Sequence, residues 1–359
     1  MIPDAIDLSA LRRVLVTKLR HHGDVLLTSP VFQVLKNHAP HLEIDALVYA
    51  DTAPMLELHP AIDKIFCVDR GWKKLGTWSQ FHHEWRLLQS LKARRYDLIV
   101  HLTDHPRGAT LKRLLGIPYG VAPAFAKKAR PMWKTFTHEY RMPRGGTRHT
   151  AELNLDALRR IGLQPNIDER RLVLEAGEAA RDKIAKILAA HGLAAQGFIH
   201  LHPTSRWLFK CWPAAKVAEL LTALGADEQR VVLTSSPEKA ELTMIRDILA
   251  ATRASVVNLS GQLSLKELAA LTQQARLFVG VDSAPMHIAA AMQTPIVALF
   301  GPSGDAEWGP WMVNHRIVAS KHPCRPCGMD GCGGGKVSDC LTTLPVAQVL
   351  AAIESLRAE

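Results

Sequence analysis

Short apolar segments of strand length alternate with amphipathic segments of helix length along nearly the whole of this 359-residue chain. Such alternation is typical of parallel β-sheets whose successive strands are connected by helices that cover the sheet. The strands are predicted at 13–17, 43–49, 64–68, 97–102, 198–202, 230–234, 255–259, 277–281 and 295–300. The helices are predicted at 24–38, 80–95, 149–161, 178–191, 214–225, 238–251, 265–274, 283–292 and 346–357.

The alternation is interrupted by the polar stretch 164–171. A chain of 359 residues is long enough to form two domains. We therefore predict two Rossmann-like domains with their boundary within 163–178, and assign 1–170 to the first domain and 171–359 to the second. The last helix, 346–357, is a candidate to pack back on the first domain.

The composition, with 47% apolar and 22% charged residues, is that of an ordinary soluble globular protein. The sequence has no apolar run that approaches the ~18 residues of a membrane-spanning helix. Near the amino terminus, acidic residues stand where a signal peptide would carry positive charge, and no apolar core follows them. These features predict a cytoplasmic protein.

The net charge of +10 results from 44 Lys and Arg residues against 34 Asp and Glu residues. Seven of the basic residues lie in segment 126–149, where Glu139 is the one acidic residue. The segment favours an anionic partner, such as nucleic acid, an acidic membrane surface or a phosphorylated substrate, or it is a solvated basic loop. Nucleic acid is disfavoured because few base-stacking aromatic residues, such as Trp133 and Phe136, are interleaved with the charges.

Four of the six cysteines are clustered as Cys324-x2-Cys327-x4-Cys332-x7-Cys340. Disulfides are not expected in a chain that is kept reduced in the cytosol. Four thiols within 17 positions have the right chemistry for zinc, but the second pair is spaced too widely for a standard zinc ribbon. A glycine-rich loop of free thiols is the alternative.

Two strand-to-helix connections in the second half carry residues suited to a nucleotide. In the first, Thr204 and Ser205 offer hydroxyls. Arg206 and Lys210 in the same loop offer positive charge that can hold a diphosphate without a metal, although basic loops are common before helices that begin with proline. In the second connection, Glu238 either accepts hydrogen bonds from a ribose diol or simply stands at a helix start, where a carboxylate is favoured.

A third connection ends an apolar strand in Asp282-Ser283-Ala284-Pro285. Asp282 and Ser283 are good N-cap residues, and Pro285 suits a first helical turn. The helix amino terminus would present free N–H groups to an anion. His287, about one turn further along, is placed to help hold a phosphate, although a histidine at such a position is more often packed or capped.

The first predicted strand leads into His21-His22-Gly23-Asp24 instead of a basic phosphate cradle. Gly23 lets a substrate approach the backbone closely, and the Asp24 carboxylate is placed to accept a proton; a plain N-cap is the alternative. Ligands of open α/β sheets bind at this carboxyl edge of the strands. An NAD-dependent oxidoreductase is disfavoured because no Gly-x-Gly-x-x-Gly motif follows a predicted strand.

Segments 20–27 and 281–289, with the rest of the chain, resemble the bacterial lipopolysaccharide heptosyltransferases of glycosyltransferase family 9. The family pattern is specific at Gly23-Asp24 and at the helix start from Asp282 to His287, where many members have Thr-Gly in place of Ser283-Ala284. The double histidine, the 206–213 loop and the cysteine cluster most resemble the type III members, which act on a side branch of the core. Type I, type II and protein heptosyltransferases are the alternatives.

The resemblance implies a GT-B fold, in which two Rossmann-like domains face one another across a cleft. It implies that the first domain binds a heptose of the lipopolysaccharide inner core and that the second binds ADP-L-glycero-β-D-manno-heptose. No metal or other cofactor is expected, which agrees with the lack of an Asp-x-Asp motif in the sequence. The basic segment would hold the enzyme at the inner face of the cytoplasmic membrane.

The resemblance also assigns the site residues. Asp24 corresponds to the catalytic base of an inverting transfer. For the donor it assigns Lys210, Glu238 and the helix start from Asp282 to Ala284. Together with the loop residues considered above, the predicted donor-binding residues are Gly23, Thr204, Ser205, Arg206, Lys210, Glu238, Asp282, Ser283, Ala284 and His287. The predicted acceptor-binding residues are His22, Lys127, Lys128 and Arg130.

Overall fold

The structure, a computed structural model, describes residues 4–124, 134–143 and 146–358. The chain divides into two compact units, Met1–Glu175 and Ala176–Glu359. Each unit contains one sheet of six strands, and the neighbouring strands are parallel, as the alternation predicts. Within these described ranges, no helix is both long enough and apolar enough to cross a bilayer.

In the first unit the strands are ordered β3-β2-β1-β4-β5-β6. They are β1 (Arg13–Lys18), β2 (Glu43–Tyr49), β3 (Lys64–Val68), β4 (Leu98–His101), β5 (Tyr119–Pro123) and β6 (His138–Tyr140). The helices are α1 (His22–Leu26), α2 (Ser29–His38), α3 (Thr77–Arg94), α4 (Arg107–Leu114) and α5 (Thr150–Arg160). Every residue of β1 after Arg13 is buried, because β1 lies in the middle of a sheet that is covered by helices.

In the second unit the strands are ordered β12-β11-β10-β7-β8-β9. They are β7 (Ile199–His202), β8 (Val231–Leu233), β9 (Val257–Asn258), β10 (Leu277–Val281), β11 (Ile296–Leu299) and β12 (His315–Val318). The helices are α6 (Glu178–Ala190), α7 (Ala214–Ala226), α8 (Lys239–Ala251), α9 (Leu265–Gln274), α10 (Ala284–Ala291), α11 (Asp305–Trp308), α12 (Asp339–Thr342) and α13 (Val346–Arg357).

The strand orders create one switch point in each sheet. β1 lies between β2 and β4, and β7 lies between β8 and β10. At such a point the chain departs to opposite sides of neighbouring strands, and a crevice forms beyond their carboxyl ends. The turns that follow β1, β7 and β10 therefore occupy the ligand-binding edge of their own sheets.

The predicted helix 24–38 is helical over most of its length, but it is not continuous, because the structure divides it into α1 and α2. The Thr28 hydroxyl donates to the carbonyl oxygen of Val25 at 2.6 Å, after the end of α1. Pro30 then lies in the first turn of α2, where its missing N–H is tolerated. The hydrophobic periodicity continues across this break, so it does not reveal it.

Six of the elements named above are absent from the prediction: the strands β5, β6 and β12, the helix α4, and the four-residue helices α11 and α12. β5 contains Gly120 and Pro123, which are both uncommon in strands, and β6 has only three residues. The other predicted strands and helices are confirmed with shifts of a few residues at their ends.

The last helix, α13, packs within the second unit. Val349, Ile353 and Leu356 recur at the spacing of one helical face and belong to the same buried cluster as Leu299 of β11 and Val318 of β12. The packing of this helix on the first unit stays a prediction.

Candidate functional site

The turn after β1 places Asp24 at the switch point of the first sheet. Helix α1 begins at His22, and His21 precedes it as the N-cap, so Asp24 lies in the first helical turn and is not an N-cap. A carboxylate in this position is stabilised by the free N–H groups of the turn. The side chain of Asp24 is 15% exposed, and its Oδ1 lies 3.8 Å from Nε of Arg20, which is half-exposed.

Side chains from three other strand ends reach the same edge. His22 Nε2 donates to the carbonyl oxygen of Asp51, which follows β2, at 2.9 Å. Arg70, which follows β3, pairs with the Asp51 carboxylate at 3.5 Å and donates to the carbonyl oxygen of Arg20 at 2.9 Å. Asp104, which follows β4, lies 3.9 Å from the Arg20 guanidinium. The predicted residue His22 thus lies with Asp24 at an edge that carries both signs of charge.

Lys18, the last residue of β1, is buried beneath this edge. Its Nζ donates to the carbonyl oxygen of Leu102 at 2.8 Å and to Oδ1 of Asn154 at 3.2 Å. Burial lowers the pKa of the Lys18 amine to about 8, and the nearby Asp24 carboxylate opposes this shift. Sequence reasoning missed Lys18 because a lysine at the end of a strand is normally exposed. The residues that accept its hydrogen bonds, Leu102 and Asn154, are distant in the chain, so no local pattern indicates that it is buried.

The lowered pKa of Lys18 predicts a specific pH dependence of stability. Between about pH 8 and 10.5 the unfolded chain binds the Lys18 proton more tightly than the folded chain, so the folded state gains stability as pH rises. Relative to Lys18→Met, the wild type should gain up to about 3 kcal/mol of unfolding free energy over this range. Denaturant unfolding at a series of pH values measures the difference. A Lys186→Met control on α6 should follow the wild type, and parallel curves for wild type and Lys18→Met would contradict the assignment.

In the second unit, the loop after β7 and the turn after β10 meet through an ion pair. Lys210 Nζ lies 2.6 Å from Oδ2 of Asp282, and both side chains are largely buried. Lys210 Nζ also lies 5.2 Å from the centre of the Trp207 ring. Because a carboxylate repels an anion, Asp282 is better suited to holding Lys210 in place than to contacting a phosphate itself.

Helix α10 begins directly beside this ion pair. Ser283 is its N-cap residue, but the Ser283 hydroxyl donates to the carbonyl oxygen of Val281 at 3.3 Å and does not cap the helix. Ala284 and Pro285 form the first turn and are partly exposed. His287 is only 3% exposed, as expected for a packed histidine, and its contact with a phosphate stays a prediction.

A buried carboxylate that sequence reasoning missed, Glu241 of α8, holds two of the predicted loops. Thr204 Oγ1 donates to Glu241 Oε2 at 2.6 Å, and the Ser236 hydroxyl donates to Oε1 at 2.6 Å. The backbone N–H of Ser236 also donates to Oε2 at 3.3 Å. The buried hydroxyl of Thr204 therefore anchors the loop after β7 to the loop after β8.

The remaining predicted donor residues differ in exposure. Ser205 is buried, and its hydroxyl oxygen accepts a hydrogen bond from the N–H of Trp207 at 3.4 Å. Arg206 is exposed. Glu238 is also exposed, and although it is the N-cap residue of α8 its side chain does not cap the helix. The carboxylate of Glu238 is therefore not committed to the helix start.

Removing the Glu241 carboxylate should loosen both loops. We expect Glu241→Ala to lower the unfolding free energy by about 2–4 kcal/mol, because the buried Thr204 hydroxyl and the two partly buried donors of Ser236 lose their acceptor. We also expect it to weaken the binding of any ligand that contacts the 203–213 loop. Denaturant unfolding and ligand titration measure the two effects, with Glu219→Ala, an exposed glutamate of α7, as the control. Wild-type stability in Glu241→Ala would show that these hydrogen bonds do not hold the loops.

The cysteine cluster lies in the segment after β12. Cys324, Cys327 and Cys332 are exposed, whereas Cys340 is buried. Burial raises the pKa of the Cys340 thiol; Arg325 opposes this shift, and Cys324, Cys327 and Cys332 add to it. Nevertheless, among the residues that the structure describes, no three His, Cys, Asp or Glu side chains form a group able to hold a metal ion.

The predicted acceptor residues Lys127, Lys128 and Arg130 lie outside the described residues. Their role therefore stays a prediction. His22 is the predicted acceptor residue for which the structure gives contacts.

Comparisons with known proteins agree with this architecture. A family model described as glycosyltransferase family 9 (heptosyltransferase) matches residues 84–337. The chain is 36% identical to Lipopolysaccharide heptosyltransferase 3 of Escherichia coli over 298 residues, which cover 82% of this chain and 85% of the relative. It is 33% identical to the protein of the same name in Escherichia coli strain K12 over 344 residues, covering 95% and 97% of the two chains.

Solved structures of similar proteins share the fold. A crystal structure of a family 9 glycosyl transferase from Veillonella parvula DSM 2008 superimposes with a TM-score of 0.83 at 25% identity, covering 98% of this chain and 99% of that one. E. coli heptosyltransferase WaaC with ADP superimposes with a TM-score of 0.75 at 19% identity, covering 96% and 99%. The predicted α/β fold of GT-B type is confirmed.

Proposed function

Since this chain belongs to glycosyltransferase family 9, we propose that it transfers a heptose from ADP-heptose to a heptose of the lipopolysaccharide inner core. The observation that carries the proposal is the 33% identity to Lipopolysaccharide heptosyltransferase 3 across 95% of the chain. It favours the type III reaction, on a side branch of the core, over the type I and type II reactions. The acceptor hydroxyl is the feature that separates these types.

We assign the donor to the second unit. Lys210, held 2.6 Å from Asp282, and the exposed Arg206 would bind the diphosphate, together with N–H groups at the start of α10. The Glu238 carboxylate would accept hydrogen bonds from the ribose. Ser205 and Ala284 line the same edge of the sheet. A relative with this fold, heptosyltransferase WaaC, is described with ADP and with ADP-2-deoxy-2-fluoro heptose, which supports this assignment.

We assign the base to the first unit. Asp24 would take the proton from the attacking hydroxyl as that oxygen approaches the anomeric carbon of the donor. Gly23 beside it leaves room for the sugars to approach the backbone. ADP would leave from the opposite face of the sugar, so the configuration at the anomeric carbon inverts. The negative charge that develops on ADP would be stabilised by Lys210, Arg206 and the start of α10.

These cations supply the charge that a metal ion supplies in other transferases, so we expect the reaction to proceed without added metal. The acceptor is lipid-linked, and we place the enzyme at the inner face of the cytoplasmic membrane. His22 and the basic residues Lys127, Lys128 and Arg130 would contact the phosphorylated inner core.

Two measurements with the purified protein test the proposal. Calorimetry should detect binding of ADP but not of NAD, since an oxidoreductase would prefer the dinucleotide. A transfer assay should then compare two kinds of inner-core acceptor. One lacks only the side-branch heptose, and the truncated acceptors also lack the second or the first core heptose. In the presence of EDTA, we expect transfer only to the acceptor that lacks the side-branch heptose alone. Transfer only to the truncated acceptors would assign a type I or II reaction, and NAD binding without ADP binding would overturn the proposal.

A further inference from the structure

Helix α3 carries a row of exposed aromatic side chains. Trp78, Phe81 and Trp85 are 85%, 62% and 50% exposed. Their spacing of three and four residues places them on one face of the helix. Leu75 before the helix and Leu114, the last residue of α4, are more than half exposed as well. We call these five residues the aromatic face.

The aromatic face borders a groove between α3 and α4. Phe81, Trp85, Pro106, Leu111 and Leu114 contribute to its lining, and the groove has a volume of about 360 Å³. The Phe81 and Trp85 rings are stacked, with their centroids 6.4 Å apart. Contiguous exposed apolar surface of this kind usually marks an interaction site in a soluble protein. Tryptophan in particular is favoured at the boundary between lipid and water, where an apolar ring with one polar N–H suits both phases.

The surroundings of the aromatic face are strongly basic. Residues 70–95 contain seven Lys and Arg residues and one acidic residue, Glu84. Glu84 is neutralised by Arg107, which donates two hydrogen bonds of 2.6 Å to its carboxylate. Lys73, Lys74 and Arg86 are exposed beside the aromatic side chains. The charge therefore complements an anionic surface.

The position of the face relates it to the candidate base on the same unit. The amino terminus of α3 follows β3, so Trp78 and Phe81 lie toward the edge of the sheet that carries Asp24. The groove is also lined by His105, whose neighbour Asp104 lies 3.9 Å from Arg20. A surface bound at the aromatic face would thus lie beside the turn after β1.

We propose that the aromatic face is a docking surface for an anionic lipid bilayer. Trp78, Phe81 and Trp85 enter the headgroup region, and Lys73, Lys74 and Arg86 contact the lipid phosphates. The inference deepens the proposed function, because a lipid-linked acceptor requires the enzyme to work at a membrane. Lipid binding is nevertheless measured without a donor or an acceptor, so the two proposals fail separately.

Co-sedimentation of the full chain with phosphatidylglycerol–phosphatidylcholine vesicles tests the docking surface. Pure phosphatidylcholine vesicles should bind at least tenfold less protein than the anionic vesicles. Added salt should release the protein from the anionic vesicles, because it screens the attraction between the basic residues and the lipid phosphates. A Trp78→Ser, Phe81→Ser, Trp85→Ser triple variant should lose about tenfold or more in partitioning. Lys73→Glu with Lys74→Glu should lose a similar amount through charge.

Two control variants match these changes. Ile167→Ser removes an equally exposed apolar side chain elsewhere in the first unit, and Lys186→Glu reverses a charge on α6. Both should bind vesicles as the wild type does. Equal binding by the triple variant, or no binding by the wild type, would overturn the proposal. The proposal would also be overturned if sedimentation velocity showed that the wild type forms a dimer through the aromatic face and that the triple variant does not. Transfer to a delipidated acceptor should be unaffected by the triple variant.

Discussion

Asp24→Asn is expected to lower turnover by ~10²-fold or more while ADP binds with wild-type affinity. The amide has nearly the same shape as the carboxylate but cannot accept the proton of the attacking hydroxyl. Binding should persist because the proposed nucleotide contacts, through Lys210 and the start of α10, belong to the second unit. Steady-state kinetics and calorimetry on the same preparation separate the two quantities.

A matched control lies at the same edge of the first sheet. Asp104 is exposed and lies 3.9 Å from Arg20, as Asp24 lies 3.8 Å from it, so Asp104→Asn removes a comparable charge without removing the proposed base. We expect it to retain turnover within a few-fold of wild type. A near wild-type rate in Asp24→Asn, or equal losses in both variants, would exclude Asp24 as the base.

Lys210→Ala should weaken ADP binding and slow transfer together, with a loss in kcat/KM of about 10²-fold or more. The substitution removes the proposed cation and leaves the largely buried Asp282 carboxylate, formerly 2.6 Å from Nζ, facing the incoming diphosphate. The first effect removes an attraction and the second adds a repulsion, so both weaken binding.

Two further substitutions separate these effects. Lys210→Arg keeps the positive charge and should recover part of the affinity for ADP. Asp282→Asn keeps Lys210 but removes its ion-pair partner, and it should reduce the affinity for ADP less than Lys210→Ala does. Lys186→Ala on α6 is the control for loss of a lysine. An unchanged ADP affinity in a folded Lys210→Ala variant would contradict the donor assignment.

The parts of the fold that follow from local pattern were predictable. β10 is a continuous apolar run, and β1 contains the apolar run 14–16; both lead into polar turns, and central parallel strands favour such runs because both faces are buried. The short edge strand β6 and the Gly- and Pro-containing strand β5 carry too little local signal. The break between α1 and α2 depends on a proline in the first turn of the second helix, which periodicity does not register.

The candidate site residues, too, were predictable only where a local sequence pattern indicates them. Lys210 and Asp282 could be assigned to one edge because each follows a strand, and β7 and β10 are indeed neighbours. Glu241 could not be found in this way, since Thr204 lies 37 positions away and no motif links them. Lys18 has its partners at Leu102 and Asn154, which only the tertiary fold brings to the end of β1. Polar groups that stabilise a site from beneath are thus the ones that sequence reasoning misses.

If this chain adds one heptose to the lipopolysaccharide core, the mass of that core must fall by one heptose when the protein is absent. The core should be analysed by mass spectrometry from the source strain, from a strain that lacks the gene, and from that strain carrying wild-type or Asp24→Asn protein. We predict that the deletion removes a single side-branch heptose and that the wild-type protein, but not the variant, restores it. An unchanged core mass in the deletion strain would rule out this transfer reaction, and full restoration by Asp24→Asn would rule out Asp24 as its base.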